Sequence, residues 1–469
     1  MDQKTTFGVI VGNRGFFPSH LIESGRNEVL QKIEDAGFGA VVLDAEATPY
    51  GSVESLSDAK KCAALFREHA DEIDGILVTL PNFGDERAVA ETIRRAGLDV
   101  PVLIHAFPDE IGKMLRADRR DSFCGKISVC NNLAQYGTKY SLTTRHTEAV
   151  EGEQFAADLE WFGAVCRVVG GLKRARIGAI GTRVAPFKTV RFSEKILEAA
   201  GISVEVIGLG EILAEVDKLD DKAKEVQDSS AELRGYVPLK GVPEEALAKM
   251  TKLRLAIDQW LQENEIDAFA FQCWDAIERF LGIVPCAVMS MFSQKLIPAA
   301  CEGDVTGAVG MYAMALASGQ PSALLDWNNN YGDDPNKCVL FHCSNLPKDM
   351  FSEVYMTQHP ILSDSVGPEN AWGVCVGRIS PGPFTYTRVS TDDAAGVVRA
   401  YTGEGQITDD PLDTYGGYGV AEIPNLQVLF NYVCANGFEH HVAINQSQVA
   451  SAIYEALDNY LEWDVYYHQ

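Results

Sequence analysis

The sequence predicts an α/β protein with two Rossmann-like, doubly wound lobes and a C-terminal β-rich, barrel-like domain. Three observations carry that prediction. The first third alternates short apolar runs (FGVIVG, AVVLD, GILVTL, PVLIHA) with helical patterns (HLIESGRNEVLQKIEDAG, LSDAKKCAALFREHA, DERAVAETIRRAG). A second series of the same kind begins at RIGAIG, and after Asp326 the chain turns rich in strands and turns. Strands alternating with helices specify a mostly parallel sheet covered on both faces.

Residues 1–171 form the first lobe, in which glycine closes the first and third helical patterns as a C-cap would. The long helical stretch EGEQFAADLEWFGAVCRVVGGL bridges to a second lobe, residues 172–326. There RIGAIG, ISVEVIGLG, DAFAFQCW, PCAVMSMF and SALLD read as strands, with VRFSEKILEAAG and PEEALAKMTKLRLAIDQWLQENE as helices. The tract DWNNNYGDDPNK is a loop by composition. Residues 327–469 then supply CVLFHCSN, WGVCVGRISPGPFTYTRVS, VVRAYTGEGQI and LQVLFNYV, a β-rich series with one helix, SQVASAIYEALDNYLE, near its end.

A chain of 469 residues needs more than one core. Its net charge of −26 excludes a general nucleic-acid binder and disfavours anionic membrane surfaces. No apolar run is long enough to span a bilayer, and MDQKTTFGVIVGNRGFF lacks the basic and apolar regions of a signal peptide. A cytoplasmic location is therefore expected. The eleven cysteines contain no CxxC, and Cys166, Cys273, Cys286 and Cys375 sit inside apolar runs. That pattern suits reduced, buried thiols and argues against a cysteine-based zinc site.

The stretch ACEGDVTGAVGMYAMALASGQPSALLD places Glu302 and Asp326 at the two ends of an apolar run. Asp304 caps a helix over about Val305–Ala317, which Gly319 closes. Read as one βαβ element, the unit brings both carboxylates to the carboxyl edge of a parallel sheet, where open α/β sheets bind ligands. Two acids on one edge repel, and a divalent cation resolves this. His342, sixteen residues past Asp326, and the pair His440–His441 are the candidate imidazole ligands. Mixed carboxylate and imidazole ligation suits Mn²⁺, Fe²⁺, Co²⁺ or Zn²⁺, with manganese favoured by oxygen-rich sites. On spacing alone, simple capping and solvated loop positions remain open for these residues.

That stretch, followed by FHCSNLP and ANGFEHH, resembles the L-fucose isomerase and L-arabinose isomerase superfamily, on its L-fucose isomerase-like branch. The resemblance is clearest from Ala268 to Pro347 and near the C-terminus, and it implies the same three-part architecture. It implies a metal-dependent aldose–ketose isomerase working through a cis-enediol, with Glu302 and Asp326 as acid–base pair and metal ligands. His441 is the favoured imidazole ligand, with His440 and His342 as further ones. It also implies Mn²⁺ as cofactor and a homo-oligomer, trimer or hexamer. Gln272 and Trp274 in FAFQCWDAIE, Trp327 and Asn329 beside Asp326, and Arg14 in VGNRGFF are the expected sugar contacts, Arg14 reaching a neighbouring subunit's site. The sugar stays open among L-fucose, D-arabinose, L-arabinose and an anionic derivative such as sulfoquinovose. Two readings of other classes compete. VGNRGF and GAIGTR follow strands as phosphate loops do, but neither spells GxGxxG. Two α/β lobes also describe a non-catalytic sugar-binding protein.

Overall fold

The computed structural model describes residues 4–469. The chain divides into two compact units, one running to Gly170 together with Glu455–Glu462, the other comprising Gly171–Tyr454 and Trp463–Gln469.

In the first unit, β1 (Thr6–Val11), β2 (Gly39–Val42), β3 (Gly75–Leu80), β4 (Val102–Ala106) and β5 (Ser141–Leu142) form a parallel sheet in the order β2-β1-β3-β4-β5. Successive strand residues face opposite sides, so a sheet covered twice needs unbroken apolar runs. Phe7, Val9, Val11 and Leu77 accordingly pack with Phe155 and Phe162, whereas Ile10, Ile76 and Val78 pack with Phe66 and Val89. Helix ends follow local chemistry. Ser55 and Asp58 make a capping box ahead of Leu56–Glu68, and Gly97, at φ 65°, ends Glu86–Ala96.

The second unit holds two sheets. Strands β6 (Arg176–Ile180), β7 (Ser203–Ile207), β8 (Ala268–Phe271) and β9 (Ala299–Ala300) are parallel, in the order β7-β6-β8-β9. The other sheet contains β10 (Ala323–Asn330), β11 (Lys337–His342), β12 (Phe351–Gln358), β13 (Trp372–Ile379), β14 (Gly382–Asp392), β15 (Val397–Thr408), β16 (Gly417–Glu422), β17 (His441–Asn445) and β18 (Asp464–Tyr467). Its order is β12-β13-β16-β11-β10-β17-β14-β15-β18, and a further β15–β16 pairing closes six of these strands into a barrel. Closure removes the free edges that an open antiparallel sheet exposes. Leu325, Leu340, Phe384, Tyr386, Tyr401, Ile407, Val442 and Ile444 fill that barrel's core.

The helix Val305–Ser318 begins at Asp304 and ends at Gly319, with φ 66°, as expected from the sequence. Every residue from Val305 to Ala317 is buried. The helix packs on β6, β8 and β9 of one sheet and on β14 and β17 of the other. A helix apolar all round needs cover all round, and two sheets provide it.

Three expectations are corrected. Strand β10 does not lie parallel to β9 in one βαβ element; it belongs to the barrel sheet, antiparallel to β11 and β17. The reason lies just after it, where Tyr331–Asn336 is a turn that sends the chain straight back into β11. The expected boundary after Asp326 consequently falls inside β10. PCAVMSMF is helical, within Cys286–Gln294, and LQVLFNYV opens the helix Leu426–Ala435. Short, wholly apolar runs carry no period that separates helix from strand.

Candidate active site and metal centre

Glu302 sits on the turn between β9 and the buried helix, with a left-handed backbone at φ 65°. Such a conformation costs a non-glycine residue roughly 1–2 kcal/mol. Gly303 follows at φ 71°, and a Cβ there would lie 2.8 Å from the Cα of Arg183, so the loop after β6 presses directly on this turn. The strained turn aims the Glu302 carboxylate at two donors. Trp274 Nε1 donates to Glu302 Oε1 at 3.1 Å, and His441 Nε2 lies 3.0 Å from Oε2.

His441 opens β17 and is fully buried. Its Nδ1 lies 2.8 Å from Asp304 Oδ2. Asp304 also accepts from Gly307 N at 2.8 Å and pairs with Arg388, which in turn donates from Nε to Glu439 Oε2 at 3.1 Å. This is a buried charge network, and it fixes the ring. Burial alone would raise the Asp304 carboxyl, but Arg388 and His441 outweigh it and hold Asp304 far below the usual carboxylate range. For His441 burial acts downward, yet hydrogen bonds to Asp304 and Glu302 push it up to about 9.

Asp326 lies directly opposite His441 in the β10–β17 ladder. Its Oδ1 is 3.6 Å from His441 Nε2 and 3.6 Å from His440 Nε2, too far for a hydrogen bond, and this buried oxygen has no partner. Burial raises its carboxyl above the ordinary value, against the nearby histidines. His342 ends β11, and its ring centroid is 5.8 Å from that of His441. Ligand atoms of Glu302, His342 and His441 lie within 4.8 Å of one another, as do those of Asp326, His440 and His441. An orphaned carboxylate oxygen facing two imidazoles beside a second carboxylate fits a divalent cation. His441 Nδ1 on Asp304 is the carboxylate–histidine arrangement that orients a metal-binding ring.

The remaining expected site residues divide. Gln272 lies at the end of β8, its Oε1 accepting from Thr182 N at 2.8 Å. Trp274 holds Glu302 through its indole. Trp327 points the other way from Asp326, as strand alternation requires, and donates to Tyr401 OH at 2.8 Å with its ring against Tyr386 and Phe430. Asn329 is exposed. Arg14 belongs to the first unit, paired with Glu86 and 4.4 Å above the Phe83 ring.

Sequence reading missed Phe187, whose ring lies 5.5 Å from Trp274 and 5.5 Å from His440. It saw Asp304 only as a cap and did not single out Arg388 or Glu439. An arginine inside the strand FTYTRVS, where alternation turns it inward, was the available signal.

Comparison with known proteins agrees with this architecture. Residues 8–173 match the fucose/sulfoquinovose isomerase N-terminal domain, and residues 340–469 match the L-fucose isomerase C-terminal domain. A sulfoquinovose isomerase of Priestia aryabhattai is 26% identical over 182 residues, covering 38% of this chain and 40% of that protein. One of Alkalicoccus urumqiensis is 20% identical over 296 residues, covering 62% and 64%, and one of Clostridium sp. (strain MSTE9) is 24% identical over 174 residues, covering 37% and 38%. The chain thus spans less than two thirds of the length of each of these relatives. His342, Arg388, Glu439 and His441 fall in the second matched domain, and Glu302 and Asp326 lie between the two. With both terminal domains matched and the relatives consistent, the chain belongs to the L-fucose isomerase-like family.

Proposed function

We propose that this protein is a metal-dependent aldose–ketose isomerase that acts on an anionic sugar of the sulfoquinovose type. The observation that carries the reading is the approach of Glu302 and Asp326 to the same His441 Nε2, with His342 beside the first and His440 beside the second. Mn²⁺ is the ion this oxygen- and imidazole-bearing set favours. When bound, such an ion supplies Lewis-acid polarisation of the C1 and C2 oxygens.

The chain's own residues move the proton. A carboxylate takes the proton from C2 and a carboxyl returns one to C1, by way of a cis-enediol. The unpartnered Asp326 Oδ1 is free to take that proton and return it. Glu302 faces the same His441 Nε2 as Asp326, held there by the Trp274 indole and by its strained turn. Phe187 packs edge-on against Trp274 and at a tilt against His440, an apolar wall beside these groups.

Two facts favour an anionic substrate. The relatives are named sulfoquinovose isomerases. The loop following β6 carries Arg183, Lys188 and Arg191 without an acid between them, beside the Glu302–Gly303 turn. The contacts of Arg183 and Arg191 go to backbone carbonyls of Val184, Ala185 and Lys188, so neither charge is met by a carboxylate among the described residues. Both arginines line a cavity of about 290 Å³ with Thr182, Gly303, Val305 and one acid, Glu194, so its lining carries two positive charges against one negative. A homo-oligomer, with Arg14 serving a neighbour's site, belongs to the same reading.

The test is a panel of neutral and anionic aldoses given to chelator-stripped protein, with and without Mn²⁺. Ketose formed from a sulfonated aldose upon Mn²⁺ addition is the expected result. Turnover of L-fucose but no anionic sugar would overturn the substrate assignment, and no turnover of any aldose would overturn the activity.

A further inference from the structure

Directly behind the carboxylate–imidazole centre lies a second group of chemically active side chains that the proposed isomerisation does not use. Cys273 follows Gln272, Cys301 precedes Glu302, and Cys343 follows His342, so three site-bearing turns each place a thiol on the inner side. Cys286, first residue of the buried helix Cys286–Gln294, joins them. Cys343 Sγ lies 3.2 Å from His342 Nδ1, and the ligand atoms of Cys301, His342 and Cys343 are within 4.8 Å of one another. Cys286 lies close enough to Cys301 and Cys343, and Cys273 to Cys301, for their thiols to interact electrostatically. Cys273, Cys286 and Cys301 are buried, and none of the four forms a disulfide.

A second, independent observation points to a cation. Glu278 is fully buried, and both its carboxylate oxygens lack any hydrogen-bond partner. Its charge is felt by Cys273, and that of Cys343 by Glu278. A buried carboxyl group with no hydrogen-bond partner on either oxygen is costly and calls for one. Buried thiols alone are ordinary small apolar residues. Thiols converging beside an imidazole and an orphaned carboxylate form a donor set for a soft cation.

We propose that these side chains bind a thiophilic divalent cation of the zinc class, held by Cys301 and Cys343 with His342, and charge-balanced by Glu278. Such an ion ties the end of β9 to the end of β11 beneath the Glu302 turn. It is distinct from the harder cation expected between Glu302, Asp326 and His441, and shares only His342 with it.

Cd²⁺ titrated into reduced, metal-free, full-length protein tests this through the ultraviolet thiolate-to-metal charge-transfer band, which a carboxylate–imidazole site does not produce. One equivalent is expected to raise the band to saturation in wild type and in Asp326→Asn. The band is lost in Cys301→Ser and Cys343→Ser, and retained in Cys434→Ser, whose thiol is exposed. In the isosteric Glu278→Gln the ion binds at least about tenfold more weakly, the range seen when a supporting carboxylate is removed. Absence of the band in wild type overturns the proposal, as does full retention in Cys301→Ser. Should the serine variants fail to fold, unchanged Cd²⁺ affinity in Glu278→Gln would also overturn it. The readout is independent of sugar turnover, so its failure and that of the isomerase reading are distinguishable.

Discussion

Arg388 is fully buried between Asp304 and Glu439. Removing one member of a buried ion network leaves its partners charged and unpaired, which typically costs about 3–5 kcal/mol. Arg388→Met is therefore expected to lower urea stability by an amount in that range, although methionine fits the volume. Asp304 adds a sign. Its carboxyl is depressed in the fold, so its contribution is complete above the ordinary carboxylate pKa and is lost as pH falls toward the depressed value. Asp326→Asn and Glu302→Gln should each reduce kcat by at least about 10²-fold, the lower end of what a positioned acid or base contributes. Their circular dichroism should match wild type. Isomerisation at wild-type rates in either variant would remove these carboxylates from the mechanism. His441 adds a pH dependence to cation binding. In the metal-free protein its imidazole holds a proton up to about pH 9, and a metal takes the neutral ring. Mn²⁺ affinity should consequently tighten as pH rises toward 9, by up to about tenfold per unit, with proton release visible by calorimetry in buffers of different ionisation enthalpy.

At the scale of elements, the helix Val305–Ser318 decides where the site forms. Its N-cap Asp304 both starts the helix and anchors His441, so helix register and ring orientation are one adjustment. A Cβ on Gly307 would meet Asp304 Oδ2 at 2.6 Å. Helix propensity argues that Gly307→Ala should stabilise by up to about 1 kcal/mol. The clash with an aspartate already fixed by Arg388 argues for a loss of about 1–3 kcal/mol, and the loss should win. A urea midpoint above wild type would show that Asp304 can yield. This element was legible in the sequence, cap and terminating glycine included, because both ends are local chemistry. The destination of β10 was not legible. SALLD reads the same whether it enters a parallel sheet or a barrel, and the choice is made by β11 and β17 as partners. Glu302 and Asp326 were correctly brought together on a mistaken premise. They meet because one helix is packed between two different sheets, with β9 leading into it and β10 following it.

For the molecule as a whole, the alternation of strand and helix and the later turn-rich character made the layering readable. The barrel's closure through β15 and β16 was not, since strand pairing between distant segments leaves no local mark. The same holds for the four cysteines, which come from separate segments and converge only in three dimensions. No described helix is long and apolar enough to cross a membrane. On a chain of net charge −26, the acid-free loop carrying Arg183, Lys188 and Arg191 is a local reversal of sign. Arg183→Met should raise KM for a sulfonated aldose at least about tenfold, the lower range for losing a hydrogen-bonded charge partner, with KM for a neutral aldose changed far less. Equal changes for both sugars would assign Arg183 to supporting the Glu302 turn instead.

The twisted main chain at Glu302 implies an opposition between durability and catalysis. Glycine relaxes in that geometry, so Glu302→Gly should resist denaturation as well as wild type, or better, while losing its chemistry. Selection for robustness alone would discard the glutamate, and its presence on a torsion that punishes side chains marks it as retained for work.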